Sequence, residues 1–180
     1  MLKVGLIGCG FMGSMHANCY KNIEGVELVA VADIRKEKAE EIAKGTSAKI
    51  YGDGKDLIQN ADVDVIDVCL PTFLHAEYAM AAMEKVRYVF VEKPVALTAE
   101  EGDAMLKKSL ECGAYVQVGQ VIRFWDEYVA LRDMIQSGIY GKVVNANFRR
   151  ISPRPEWGWK NWLLDYTLSG GAAVYSPCPK

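Results

Sequence analysis

Apolar residues in this chain fall into short, β-branched runs separated by stretches of helical period. Leu2-Lys3-Val4-Gly5-Leu6-Ile7, Leu28-Val29-Ala30-Val31-Ala32, Val65-Ile66-Asp67-Val68 and Arg87-Tyr88-Val89-Phe90-Val91 are the clearest runs. Runs of this length and composition read as strands buried on both faces. The pattern predicts strands over 2–7, 27–32, 48–51, 63–70, 87–91 and 114–118, and helices over 12–22, 35–44, 55–60, 75–85, 98–112 and 126–137. Thr98 with Glu101 three residues on forms a capping box for the fifth helix, and Gly113 is placed to terminate it. Strand and helix alternate at short intervals, the pattern of an α/β fold whose parallel strands are joined by crossover helices.

The character changes after residue 140. Gly141 marks a turn, and Lys142 to Arg149 alternate as a two-faced strand would. Three of the four tryptophans follow (Trp157, Trp159, Trp162), with Pro153, Pro155 and the pair Gly170-Gly171. We read residues 1–122 as one domain and 123–180 as a linker helix followed by the opening of a second, incomplete one. About 40 residues remain for that second domain, short of the roughly 100 typical of an independent unit. An unpaired strand and a Trp-rich tail lead us to expect self-association into a homo-oligomer.

Net charge is −2, with acids and bases interspersed and no basic stripe, which argues against nucleic acid as a partner. No apolar run approaches a membrane span, and Met1-Leu2-Lys3-Val4 leads into a strand rather than a signal peptide, so a cytoplasmic protein with no membrane partner is expected. Five cysteines without a C-x-x-C pair, and two histidines far apart in sequence, predict neither a disulfide framework nor a zinc site.

The first predicted strand runs into Gly8-Cys9-Gly10-Phe11-Met12-Gly13, and a helical pattern follows. Glycines there permit a tight turn and close approach of the backbone to a pyrophosphate, which the helix N-terminus then holds. Asp33 closes the second predicted strand, twenty residues beyond Gly13, where a carboxylate can accept hydrogen bonds from adenosine ribose hydroxyls. The plainer alternative is a tight turn and a surface aspartate. Strand, loop, helix and acid in this order describe a Rossmann doubly wound parallel sheet binding a dinucleotide. Asp33 favours NAD because a carboxylate repels a 2′-phosphate, while Arg35 and Lys36 beside it leave NADP possible.

Glu92-Lys93-Pro94 ends the fifth predicted strand. An ammonium and a carboxylate at the mouth of a buried strand are costly unless something there uses them. In an open α/β sheet that mouth is where ligands bind. A cation there stabilises the developing alkoxide as hydride leaves a carbinol carbon. The simpler reading pairs a solvated lysine with Glu92.

These stretches together resemble the glucose-fructose oxidoreductase, inositol dehydrogenase and rhizopine-catabolism (Gfo/Idh/MocA) family. The resemblance rests on Gly8–Gly13, Asp33, Cys69-Leu70-Pro71-Thr72 with His75, Glu92-Lys93-Pro94, Val118-Gly119-Gln120 with Arg123-Phe124, and Ser169-Gly170-Gly171. It implies a nicotinamide-dependent dehydrogenase acting on a secondary alcohol, or the matching ketone, of a sugar or cyclitol. By position it implies that Gly8, Gly10, Phe11, Met12 and Gly13 hold the pyrophosphate and that Asp33, with Ile34 and Arg35, holds the adenosine ribose. Leu70, Pro71, Thr72, His75 and Gln120 would line the cofactor's path, and Glu92 and Lys93 would face the nicotinamide, with Lys93 catalytic. His75 equally suits the start of the next helix or a local hydrogen bond, and His16 reads as packing or surface. The tryptophans suit either a sugar-stacking loop or a core or subunit interface.

In the family an aspartate and then a histidine follow the Gly-Gly of the second domain, as substrate-side carboxylate and general acid/base. Here Ala172-Ala173-Val174 lead to Tyr175-Ser176-Pro177-Cys178-Pro179-Lys180, and no histidine follows His75. The resemblance therefore predicts a Rossmann fold followed by the beginning of a truncated α+β substrate domain. A frameshift near residue 175, a fragment, or a cofactor-binding protein without chemistry would each account for it. A non-catalytic NAD(P)-binding or regulatory module is the alternative function.

Overall fold

The computed structural model describes residues 1–149, 151 and 158–170. Six strands form one parallel sheet: β1 (Leu2–Ile7), β2 (Val26–Ala32), β3 (Lys49–Tyr51), β4 (Val65–Val68), β5 (Tyr88–Val91) and β6 (Tyr115–Val118), in the spatial order β3-β2-β1-β4-β5-β6. The helices between them are α1 (Phe11–Tyr20), α2 (Lys36–Ala43), α3 (Gly54–Asn60), α4 (His75–Met83) and α5 (Ala99–Cys112). The direction in which successive strands are added reverses between the parallel neighbours β1 and β4, and the crevice at the carboxyl ends there is where such sheets bind ligands.

Alternation along each strand sorts side chains to two cores. Ile7, Ile66, Val68, Val89 and Val91 pack beneath α3, α4 and α5, while Val4, Leu6 and Val31 meet Ala17 of α1 and Ala39 of α2 on the other face. Half of the predicted capping box forms: the Thr98 hydroxyl accepts the Glu101 N–H at 3.2 Å, while Glu101 Oε2 accepts the N–H of Leu97, one residue before the cap, at 2.9 Å rather than that of Thr98. Gly113 terminates α5 in the left-handed conformation, φ 64°.

Two compact units are present among the described residues. The sheet unit holds 1–119 and 158–170, and in it α7 (Tyr166–Ser169) packs on the short turn Thr72–Leu74. The second unit, from Gln120, contains the turn Val121–Phe124 and α6 (Asp126–Gln136), whose Tyr128 ring stacks on Phe148 at 6.5 Å. The strand expected over 142–149 is not formed: these residues are exposed, and no described strand lies beside them to complete a ladder. Alternation marks a strand only when a neighbour accepts its backbone groups. Trp157, Gly171 and the residues after Gly171 lie outside the described residues. No helix among the described residues is long and apolar enough to cross a membrane.

Candidate functional site

The end of β1 turns sharply because two glycines let backbone pack on backbone. Gly8 has φ 95°, and a Cβ on it would stand 2.6 Å from the Cys69 carbonyl oxygen. A Cβ on Gly13 would stand 1.9 Å from the Gly8 carbonyl oxygen, so α1 begins directly on the loop. Gly10, the residue preceding α1, supplies no capping side chain, and the first turn holds no acid. A helix start without a capping side chain or an acid suits an anion. Among the described residues a Cβ on Gly10 would meet only Arg35 Nη2, at 3.9 Å, so the loop is open on that side. Phe11 is half exposed and Met12 half buried beside it.

Asp33 ends β2 buried against this loop. Its Oδ2 accepts the Cys9 N–H at 2.8 Å and Arg35 Nη2–H at 3.1 Å; its Oδ1 accepts the Arg35 N–H at 2.8 Å and Nε–H at 3.1 Å. A carboxylate offers about four lone-pair sites, so Asp33 is saturated. The acid expected to meet a ribose is also the strut that joins the glycine loop to Arg35. Arg35 lies over the Trp159 ring, 5.1 Å from its centroid, and Ile34 projects outward. Burial, with the Asp33 charge, pushes the Cys9 thiol up to about 12.

After β4, Leu70 and Pro71 are half buried and Thr72 is buried. His75 starts α4 and is 1 % exposed, with Nδ1 2.7 Å from the Pro94 carbonyl oxygen and Nε2 2.7 Å from that of Leu70. Of the roles open to it in the sequence, the structure displays the helix start and the local hydrogen bond. It braces the loop after β4 against the corner after β5. Burial, outweighing the two carbonyls, lowers its pKa.

At that corner Glu92 is 4 % exposed, Lys93 is exposed, and the Lys93–Pro94 bond is cis. Glu92 Oε2 accepts the Lys93 N–H at 3.1 Å. Gly119 follows β6 so closely that a Cβ would come within 2.8 Å of Glu92 Oε1. Gln120 is exposed and opens the second unit.

The sequence reading missed what lies under this corner. His16, expected to be packing or surface, joins two buried carboxylates. Its Nδ1 is 2.8 Å from Asp67 Oδ2 and its Nε2 is 3.3 Å from Glu92 Oε1, the second an ion pair without the alignment of a hydrogen bond. Tyr20 donates its hydroxyl to Asp67 Oδ2 at 2.7 Å, and the Cys69 thiol lies 3.4 Å from Asp67 Oδ1 and 3.2 Å from His16 Nδ1. Asp67 itself is fully buried in the central strand. Burial disfavours the charged imidazole, but the Asp67 hydrogen bond and the charges of Asp67 and Glu92 outweigh it and push His16 up to about 10. Burial and the Asp67 charge hold the Tyr20 hydroxyl and the Cys69 thiol well above their usual ranges. The cue was available: an aspartate inside an apolar run needs partners, and His16 and Tyr20 stand four apart on one face of α1.

A dinucleotide fits these residues. The uncapped start of α1 and the open side of Gly10 suit a pyrophosphate, with Asp33 buried behind the loop at the end of β2 and Lys93 exposed at the carboxyl edge of the same sheet. Comparison with known proteins agrees. A curated relative, inositol 2-dehydrogenase of Salmonella typhimurium, is 36 % identical over 162 residues, covering 87 % of this chain and 48 % of its own length. The 4-carboxy-2-hydroxymuconate-6-semialdehyde dehydrogenase of a Sphingobium strain is 36 % identical over 138 residues, 76 % of this chain and 44 % of its own. The crystal structure of myo-inositol dehydrogenase from Lactobacillus casei, in complex with NAD(H) and myo-inositol, superposes with a TM-score of 0.74 at 34 % identity, over 78 % of this chain and 43 % of that one. The chain spans about half the length of the curated relatives it matches. A family model described as "Oxidoreductase family, NAD-binding Rossmann fold" matches residues 2–120, and the chain belongs to that family, Gfo/Idh/MocA.

Proposed function

We propose that this chain binds NAD and carries the cofactor side of a dehydrogenase that moves hydride between nicotinamide and a secondary alcohol or ketone of a cyclitol or sugar. The observation that carries the reading is the joint presence of the glycine loop, Asp33 and Lys93 along the carboxyl edge of one parallel sheet, beside its switch point. The Salmonella and Lactobacillus relatives, both named for inositol, support the substrate class. The Sphingobium relative, equally 36 % identical, is named for a semialdehyde and supports a wider screen.

In this reading Gly8, Gly10 and Gly13, with the amides of Phe11 and Met12, hold the pyrophosphate, and the loop of Leu70, Pro71 and Thr72 lines the path toward the corner. Bound nicotinamide would supply the hydride acceptor or donor. Lys93 stands beside the substrate oxygen: as the neutral amine it takes the proton that the alcohol gives up on oxidation, becoming the ammonium, and as the ammonium it offsets negative charge on that oxygen and returns the proton on reduction. The test is NADH binding by fluorescence, followed by a screen of inositol isomers and sugars for NADH production. Binding with turnover that Lys93→Met removes is the expected result; absence of NADH binding overturns it.

A second reading, cofactor binding without turnover, has one observation in its favour. The chain's two histidines are both committed inside the fold, His16 to Asp67 and Glu92 and His75 to two carbonyls, so neither offers a free imidazole at the Lys93 corner. Binding without turnover across the screen selects it.

Arg35 sets the cofactor preference in the proposed site. A ribose hydroxyl gains an acceptor on Asp33 only where an Arg35 N–H withdraws, whereas a 2′-phosphate would draw the guanidinium itself. Arg35→Ala is expected to tighten NADH binding about threefold and to weaken NADPH binding about tenfold, roughly 1.4 kcal/mol. Parallel fluorescence titrations check both.

A further inference from the structure

His16 is not accounted for by phosphate binding or by hydride transfer, yet it occupies the most charged place in the interior. Three elements meet at its ring. From β4 and the residue after it come Asp67 and Cys69; from the end of β5 comes Glu92, with the Phe90 ring edge-on at 5.4 Å; from α1 itself comes the Tyr20 hydroxyl, bound to the same Asp67 oxygen. Both ring nitrogens face carboxylate oxygens, at 2.8 and 3.3 Å. A neutral imidazole has one N–H, so one nitrogen would set its lone pair against a carboxylate. Only the doubly protonated ring turns an N–H and positive charge toward both carboxylates, a hydrogen bond to Asp67 and an ion pair to Glu92, and it also halves the charge of a buried acid pair.

We propose that His16 is a positioning residue for Lys93: an imidazolium clamped between Asp67 and Glu92 that fixes the Glu92 carboxylate, whose other oxygen holds the Lys93 N–H. The clamp rests on the reading of Lys93 as the working cation of the site. It ties α1, whose N-terminus would hold the pyrophosphate, to the corner that carries Lys93, so both halves of the cofactor site share one ion network. Gly119 packs against the same carboxylate, leaving less than a methyl's room beside its Oε1. The push of His16 to about 10 agrees with an imidazolium that stays charged through neutral pH.

With two histidines in the chain, ring nitrogen NMR of the whole protein resolves both. His16 is expected to show two protonated nitrogens from pH 6 to 8.5, and His16→Gln to lower the hydrogen-exchange protection of the Lys93 amide at least tenfold while the amides of β1 and β4 keep theirs. Glu92→Gln preserves shape and removes one charge; it should bring the His16 titration down by about one pH unit or more, and it serves if His16→Gln does not fold. Titration of His16 near 6.5 in the wild-type protein overturns the proposal, as does a Lys93 amide equally protected in His16→Gln. NADH binding by the wild-type protein is measured in parallel. Binding with unchanged Lys93 protection sinks the clamp and leaves the cofactor reading standing; lost protection without NADH binding supports the clamp and removes the cofactor reading.

Discussion

Gly13→Ala is expected to weaken NADH binding at least thirtyfold and to lower the melting temperature of the same protein by several degrees. The added methyl would start 1.9 Å from the Gly8 carbonyl oxygen and 3.0 Å from its carbonyl carbon. Both are backbone atoms, so no side-chain rotation relieves the clash. The first turn of α1 must lift from the end of β1, taking with it the amides that would face the pyrophosphate. Overpacking of this kind costs about 1–3 kcal/mol in stability, and thirtyfold in affinity corresponds to about 2 kcal/mol. Gly102→Ala is the matched control. Gly102 lies in α5 with nothing within 4 Å of its would-be Cβ and no left-handed backbone. That substitution is expected to stabilise by up to about 1 kcal/mol through helix propensity and to leave NADH binding alone. A Gly13→Ala protein that binds NADH within threefold of wild type would show that the close loop–helix contact is not what presents the phosphate site.

The central strands were legible because they are buried on both faces and written as largely apolar runs, and the short, more exposed edge strands β3 and β6 were legible from their place in the strand–helix alternation. All six strands and α1–α6 form within a few residues of their predicted bounds. The glycine loop and Asp33 were legible for a related reason: a backbone that must touch backbone excludes every side chain, and that exclusion is visible as glycine. Ion networks are written less plainly. His16, Asp67 and Glu92 are 51 and 25 positions apart in turn and meet only because β4 and β5 are neighbours beneath α1. Periodicity places an aspartate on a strand face without saying which helix residue will answer it. Asp33 shows the converse limit, since its position was predicted but its saturation by Cys9 and Arg35 depends on side-chain geometry. Segment 142–149 failed for a third reason, because strand propensity was counted without a pairing partner.

Asp67→Ala is expected to destabilise the fold by about 3–5 kcal/mol at pH 6.5, the range for removing one partner of a buried charge pair. That is a large part of the 5–15 kcal/mol holding a typical domain together. His16 would face Glu92 alone, and Tyr20 and Cys69 would lose the acceptor to which both donate. The pH dependence separates this loss from that of a simple cavity. His16 is raised from 6.5 to about 10, so its contribution to stability is complete below pH 6.5 and is lost as pH rises through 10. Cys9, Cys69 and Tyr20 are raised too, and they add to the decline only above about pH 9. His75 is lowered by burial, so its contribution is present above pH 6.5 and fades as pH falls below that. Wild-type stability should therefore peak near pH 6.5 and fall toward pH 8.5 by as much as about 1.4 kcal/mol per unit, the slope of one proton. In Asp67→Ala the largest hydrogen bond raising His16 is gone, the alkaline slope should drop to less than half, and the gap from wild type should narrow between pH 6.5 and 8.5. Asp67→Asn, which keeps the shape and removes the charge, should flatten the slope at smaller cost. Urea unfolding at the two pH values measures all three proteins, and a gap that stays constant with pH would mean that Asp67 stabilises by packing rather than by holding His16 charged.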